Sequence, residues 1–435
     1  MTDDSRRRFF LQSGAVASAP WLGDVLKAEE QQRRPVPPGA MLGDIHVLPA
    51  TPHTTQWGWF DNAEPPVLTV RSGARISMET MMASANQVLP GVSIEAITQM
   101  RLAFPGRGPH TITGPIYIED AEPGDTLKVH IERILPRSYG ANWNLPGELG
   151  LGQFPDRFPA GQVRYFYFDQ QTASTQFAPG VRIPLRPFPG VLGVARAEAG
   201  RYSTVPPGPF GGNMDVREMI EGTTVYLPVF VEGALLWSGD SHAAQGNGEI
   251  NLTAIETAFN ELRLRVDVLK GKSLEWPRIE TPTHWITVGY DRDLNKALEI
   301  LKRETSTFLA ESQDIHPEKT AEWMASRYDC RISEVVNQMK GVFCMIPKSG
   351  VKLKRAVRPL RETPHYFVTS ASSPDLQSAM NQAAFAMIEQ IAERKNMSVI
   401  DAYSLMSLGM DSRLGDIGEF NKTVHCLVPK SLWTA

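Results

Sequence analysis

The chain has 435 residues, 42% hydrophobic and 21% charged, with a formal net charge of −4. That composition excludes a disordered or fibrous chain, and without a basic block to grip phosphates nucleic acid is not expected as a partner. No run reaches the roughly 18 apolar residues of a spanning helix, so no membrane span is expected in the mature form. At about 150 residues per domain, two or three domains are expected.

Residues 5 to 12 read Ser-Arg-Arg-Arg-Phe-Phe-Leu-Gln, and a weakly apolar, small-residue stretch runs from Gly14 to Trp21. This is the form of a twin-arginine export signal. Residues 1–34 are therefore read as signal and linker, with the twin-arginine export machinery as a partner and a bacterial periplasm as the destination. Ala17-Ser18-Ala19 has the small-x-small form of a cleavage site but is followed by Pro20, and Leu26-Lys27-Ala28 is a weaker second choice.

From 35 to 280 the periodicity is that of strands. In Thr126 to Ile134, Leu127, Val129 and Ile131 alternate with Lys128, His130 and Glu132 after a Glu122-Pro123-Gly124-Asp125 turn. Val67 to Val70, Arg75 to Glu79, Ile112 to Ile118, Thr224 to Phe230 and Ala234 to Trp237 read similarly. Residues 136 to 215 are rich in Gly and Pro, which predicts long ordered loops there.

Helical spacing takes over after 280, with Leu294, Ala297, Leu298, Leu301, Phe308 and Leu309 on one face, a second helix from Glu318 to about Tyr328, and a short strand from Val342 to Ile346. The pattern returns 82 residues later without a gap. Thr281-Pro282 recurs as Thr363-Pro364, Asp329-x-Arg331 as Asp411-x-Arg413, Lys340-x-Val342-x-Cys344 as Lys422-x-Val424-x-Cys426, and Pro347-Lys348-Ser349 as Pro429-Lys430-Ser431. In the second copy Ser373 is placed to cap one helix, with Pro374 at its first position, and Ser398-x-x-Asp401 to cap the next. The fold class read from these patterns is α+β: a β-rich, sandwich-like body (35–280), then two tandem strand-helix-helix-strand modules (281–349 and 363–435) joined by a basic linker (350–362). Cys330, Cys344 and Cys426 are too few for a disulfide framework, and their apolar neighbours predict buried packing without a bridge.

The segment with most chemistry is Trp237-Ser238-Gly239-Asp240-Ser241-His242-Ala243-Ala244-Gln245-Gly246-Asn247-Gly248-Glu249. Asp240 and His242, two apart, point the same way from an extended strand and can reach one cation. Glu249 is placed to act as a general base or a further ligand. A satisfied core histidine beside a capping aspartate explains the same spacing. His110 sits in a second Gly/Pro-rich segment, Gly106 to Ile118, at the mouth of a strand, where either a site group or a surface histidine fits.

These segments resemble the acetamidase/formamidase family over nearly all of the mature chain. The matching motifs are His46-x-Leu48-Pro49-Ala50-Thr51-Pro52, Trp57-Gly58-x-Phe60-Asp61, Pro66-Val67-Leu68-Thr69-Val70, His110-x-x-Thr113-Gly114-Pro115-Ile116-Tyr117, Ala121-Glu122-Pro123-Gly124-Asp125, Gly211-Gly212-Asn213-Met214-Asp215, Gly239-Asp240-x-His242-Ala243-Ala244-Gln245-Gly246-x-Gly248-Glu249 and the Pro-Lys-Ser endings. The resemblance implies a homo-oligomer that hydrolyses the C–N bond of small linear amides to carboxylate and ammonia. It also implies a divalent metal, zinc favoured and calcium or another ion possible. Carried over residue by residue, it makes Asp240, His242 and His110 ligand candidates, Glu249 and His242 catalytic, and Trp57, Thr113 and Gln245 substrate-binding.

Three departures stand out. Asn247 replaces an expected acid, Gln56 replaces a histidine before Trp57-Gly58, and Thr80 to Ala85 lack a histidine or acid common in relatives, which normally carry one C-terminal module. The competing expectation is a non-catalytic periplasmic ligand-binding relative.

Overall fold

The computed structural model describes residues 38–350 and 361–433. The twin-arginine motif, both cleavage-site candidates and most of the 350–362 linker lie outside the described residues.

An eleven-stranded sheet carries β1 (Thr111–Ile118), β2 (Tyr139–Asn144), β3 (Phe188–Val194), β4 (Leu236–His242) and β5 (Glu256–Thr257). Strand β4 is its centre and is buried throughout. Along one edge it pairs with β3, and along the other first with β1 and then, at Ser241 and His242, with β5, which also meets β2. A thirteen-stranded sheet lies against it, and in the body it comprises Ala40–Leu42, Ile45–Leu48, Arg75–Met78, Phe259–Leu269, Thr126–Pro136, Thr224–Pro228 and Arg278–Glu280. Leu127, Val129 and Ile131 of this sheet share one core with Val191, Leu192 and Trp237 of the other, the packing expected of two amphipathic sheets that bury their apolar faces together.

The thirteen-stranded sheet continues without a break into the C-terminal modules. The first is β6 (His284–Asp291), α1 (Leu294–Gln313), α2 (Thr320–Ser326), β7 (Asp329–Glu334) and β8 (Lys340–Pro347). The second repeats it as β9 (Tyr366–Ser373), α3 (Leu376–Arg394), α4 (Val399–Gly409), β10 (Asp411–Ile417) and β11 (Lys422–Pro429). Strand order across the modules is β6-β8-β7-β10-β11-β9. Helix α1 forms where the apolar spacing predicts it; Asp293 caps it by accepting from the Asn295 N–H, and its apolar stripe is buried. Ser398 caps α4 as expected, but α3 is capped by Asp375, with Ser373 two residues earlier accepting from the Asp375 N–H and Pro374 lying before the cap, not at the first helical position.

Four differences from the sequence reading have physical causes. Each module has two strands after its helices, because β7 and β10 bury their charged residues in ion pairs instead of presenting them to water. Residues 136–215 hold β2 and β3 with Gln162–Asp169, Ser174–Ala178 and Val181–Pro184 between them. Their glycines mark close approach rather than looseness: a Cβ on Gly193 would lie 2.5 Å from the Gly212 nitrogen. Asp240 is in the left-handed region, φ 50°, not extended. Finally, Cys330 and Cys344 form a disulfide, since they lie directly opposite each other on β7 and β8. Cys426 stays free because the residue opposite it is Ser412.

Module helices seat tightly on the sheet. A Cβ on Gly289 of β6 would lie 2.3 Å from the Ala297 carbonyl oxygen and 2.7 Å from the Leu301 nitrogen of α1. Gly289→Ala should therefore lower unfolding stability by about 3 kcal/mol through overpacking, measurable by denaturant titration; an unchanged midpoint would show that the helix can lift away.

Candidate active site

The end of β4, the turn after the short strand Gly211–Asn213 that pairs with β3, and the segment from Gly246 to Glu256 converge on one buried cluster: Asp215, Asp240, His242, Glu249 and Glu256, with His110 beside it. Cross-strand pairing sets Glu256 of β5 directly opposite His242 of β4. The His242 Nε2 lies 3.2 Å from Asp240 Oδ2 and 3.3 Å from Glu256 Oε2. Asp215 Oδ1 lies 3.9 Å from the other ring nitrogen. Two overlapping sets, Asp215/Asp240/His242 and His242/Glu249/Glu256, each bring one donor atom per residue within 4.8 Å of the others.

Neighbours orient both histidines. Gln245 Oε1 accepts from His242 Nδ1 at 2.8 Å, which leaves Nε2 facing the carboxylates, and Gln245 Nε2 donates to the Asp215 carbonyl at 3.2 Å. His110 Nδ1 lies 3.1 Å from the Thr204 carbonyl; a carbonyl only accepts, so Nδ1 carries the proton and the Nε2 lone pair faces Asp240 Oδ1, 3.7 Å away. Asn337 of the first module donates to Asp215 Oδ2 at 2.8 Å.

Three acids in the cluster, Asp215 (φ 48°), Asp240 (φ 50°) and Glu249 (φ 48°), occupy the left-handed region that side-chain-bearing residues rarely adopt. Strain of this kind persists where surrounding structure imposes it, and it clusters at functional sites. The floor is Gly190 of β3, where a Cβ would lie 2.6 Å from Asp240 Oδ2, 2.7 Å from His242 Cε1 and 2.8 Å from Asp215 Oδ1. Over the cluster lies a cavity of about 120 Å³, walled by His110, Trp143, Asn213, Asp240, Glu249 and Asn337, among others.

So many buried acids perturb one another. Burial pushes Asp215 and Glu249 well up, each further raised by neighbouring carboxylates, and it pushes Glu256 up to about 7 despite His242 nearby. Burial works against the charge on His242, yet Glu256 and Asp240 outweigh it and hold the ring protonated well above the usual histidine range. Burial holds His110 below its ordinary value, against the pull of Asp240. The cluster thus favours added positive charge, whether as protons or as a cation. Its donors suit a divalent cation: His242 Nε2 makes no well-aligned hydrogen bond, and Asp215 Oδ1 is buried without a hydrogen-bond partner.

Of the ligand candidates from sequence, Asp240 and His242 share the cluster, while His110 stands across Asp240 from it. Asp215 and Glu256 complete it. Asp215 stood at the end of the Gly-Gly-Asn-Met-Asp motif, whereas nothing local flagged Glu256. Among the substrate-binding candidates, Gln245 supports His242. Thr113 gives its hydroxyl to the Glu79 carbonyl at 2.8 Å, and Trp57 packs edge-on to Phe104 under Arg107; neither lines the cavity. Asn247, Gln56 and Met82 do not line it either, though Ala83 does.

A carboxylate whose folded pKa exceeds its unfolded value stabilises the fold fully below the unfolded value and loses that contribution as pH rises through the folded one. For Glu256 that window runs from 4.5 to about 7. The metal-free protein should lose thermal stability across this window, and an added divalent ion should raise Tm more at about pH 8 than at about pH 5, because binding displaces protons. A flat profile in scanning calorimetry would contradict the proton-loaded cluster. Gly190→Ala, which drives a methyl group into the cluster, should abolish the metal-induced Tm shift; a retained shift would place the ion elsewhere.

The Acetamidase/Formamidase family matches residues 50–202 and 195–434. Among curated relatives, the acetamidase of Mycolicibacterium smegmatis is 28% identical over 48% of this chain and 64% of its own, and the formamidase of Methylophilus methylotrophus is 27% identical over 47% and 62%. The matched stretch thus spans somewhat under two thirds of the length of these relatives. The solved acetamidase of Bacillus halodurans is 29% identical with a TM-score of 0.63, covering 69% of this chain and 97% of its own. A structure titled a predicted acetamidase/formamidase, from Thermoanaerobacter tengcongensis, is 30% identical with a TM-score of 0.60, covering 70% and 95%. The gamma lactamase of Delftia acidovorans, at 20% identity and a TM-score of 0.61, covers 88% and 90% and shares the fold. The family model spans nearly all of the described residues, and the chain belongs to the Acetamidase/Formamidase family.

Proposed function

We propose that this protein hydrolyses the C–N bond of small linear amides to carboxylate and ammonia, using a divalent ion held by Asp240, His242 and Glu256 with Asp215 and His110 adjacent. The observation that carries the reading is the buried cluster of four carboxylates and a histidine at the floor of a small cavity. Zinc is the first choice, and calcium or another divalent ion is compatible with the oxygen-rich donor set. When bound, the ion polarises the amide carbonyl and lowers the pKa of a water.

The chain's own groups supply the rest. Glu249 lines the cavity and is held well above the usual carboxylate range by burial and by Asp215, which suits a group that takes a proton from the attacking water and returns it to the departing nitrogen. The His110 Nε2 lone pair, fixed by Thr204, can accept from the amide NH₂ group. Trp143 and Leu145 close the cavity's apolar side and limit the acyl group to a small one. The non-catalytic alternative drew on Asn247 and the Met81-Met82 segment, and neither Asn247 nor Met82 lines the cavity. We also propose export by the twin-arginine route, on the strength of Arg6-Arg7, and self-association, on the strength of the family resemblance.

Glu249→Gln keeps the shape but removes the base. It should cut kcat for formamide or acetamide about a thousandfold while stoichiometric metal is retained, read by ammonia release and elemental analysis. Activity within a few-fold of wild type would remove Glu249 from the mechanism. Chelation should abolish ammonia release and metal return restore it.

A further inference from the structure

Between Gly246 and Ile250 the segment that carries Glu249 takes most of its hydrogen bonds from the second module, while Asn142 and Trp143 of the body hold residues 251–254. The Ser407 carbonyl accepts from the Gly246 N–H and the Met410 carbonyl from the Asn247 N–H, both at 2.8 Å. The Ser412 hydroxyl donates to the Asn247 carbonyl at 2.9 Å, the Tyr403 hydroxyl to the Ile250 carbonyl at 2.6 Å, and the Ser407 hydroxyl to the Thr253 carbonyl at 2.9 Å. The Asn247 amide donates to Asp411 Oδ1 at 2.6 Å. Contact is so close that a Cβ on Gly246 would lie 2.7 Å from the Met406 carbonyl oxygen. The first module meets the same segment only around Gly248, whose N–H donates to the Ser333 carbonyl at 2.9 Å and whose carbonyl accepts from Val335 at 3.1 Å.

The seam that this segment crosses is a local two-fold axis. Strands β7 and β10 pair at Arg331 opposite Arg413, residues one repeat apart. Asp329 lies 3.6 Å from Arg413 and Asp411 lies 3.7 Å from Arg331. Such reciprocity, in which i meets j′ and j meets i′, is the signature of an isologous interface between two copies. Helices α1 and α3, themselves equivalents, also pack together. The axis relates the β7–β8 hairpin, whose Gln338 lines the cavity, to the β10–β11 hairpin, where the equivalent Phe420 is 80% exposed.

We propose that the second module is a built-in partner subunit. It takes within one chain the place that the first module of another copy would take around a two-fold axis, and its Tyr403, Asp411 and Ser412 are positioning residues for the Glu249 segment. The role given to Glu249 rests on the amide-hydrolase reading; the coupling between module and metal cluster does not.

The test is made in the full-length chain at Asn247. N247D sets a carboxylate against Asp411 in place of a hydrogen bond, and N247A removes that bond without adding charge. N247D should lower kcat for formamide or acetamide about 100-fold, the cost of misplacing a catalytic group by about an ångström, with KM little changed, and should shrink the zinc-induced Tm shift. N247A should show the same two effects to a smaller degree. Wild-type kcat and Tm shift in N247D would overturn the proposal. Should N247D fail to fold, Ser412→Ala, which deletes one supporting hydroxyl, should cost about tenfold; no change in its kcat or Tm shift would overturn it equally. A wild type that releases no ammonia would defeat the hydrolase reading, leaving the zinc-induced shift to decide the coupling.

Discussion

Burying four carboxylates and a histidine together is the constraint on which the rest of this structure depends. Unpaired buried charge costs several kcal/mol per ion even after relaxation. Burial and neighbouring carboxylates push Asp215, Glu249 and Glu256 toward their uncharged forms, Glu256 and Asp240 favour the charged form of His242, and the donor set suits a cation. Close backbone supports are the corollary. Gly190 leaves room for three side chains where any Cβ would intrude, and left-handed conformations at Asp215, Asp240 and Glu249 aim their carboxylates at one point. Rigid strands on either side of β4 hold those conformations.

The same economy explains the architecture around the site. Thirteen strands run through the body and both modules as one sheet, so the modules extend the scaffold instead of hanging from it. At their seam Asp329, Arg331, Asp411 and Arg413 form a largely buried ionic ring, joined by Arg217 and Glu218 of the body. Removing one member of such a ring leaves a buried charge uncompensated, which makes it a strict specifier of how the three parts fit. Asn247 belongs to this joint through Asp411. Its departure from an acidic residue therefore makes physical sense: a second carboxylate 2.6 Å from Asp411 would repel it.

Much of the fold was legible where one side of an element meets water. The alternation in Thr126 to Ile134 and the stripe of α1 both became the elements their spacing predicted, because half-buried strands and amphipathic helices write their burial into the chain. Elements buried on all sides leave no such pattern. Strand β3 reads Phe-Pro-Gly-Val-Leu-Gly-Val and is wholly buried, so its glycines suggested a loop. Strands β7 and β10 carry charges that look exposed until the opposite charge on the other copy, Arg413 for Asp329 and Asp411 for Arg331, is placed beside them.

The sequence by itself determined that the chain repeats a module, that its body is β-rich, and that Asp240, His242 and Glu249 sit in a glycine-rich segment capable of metal chemistry. These follow from composition, spacing and self-similarity, all of which are read directly along the chain. Only the tertiary structure decided that Asp215 and Glu256 join them, that Gln245 serves His242, that Cys330 rather than Cys426 partners Cys344, and that the second module backs the Glu249 segment. Each of those depends on strand register, which brings together residues far apart in the chain and which no local pattern encodes.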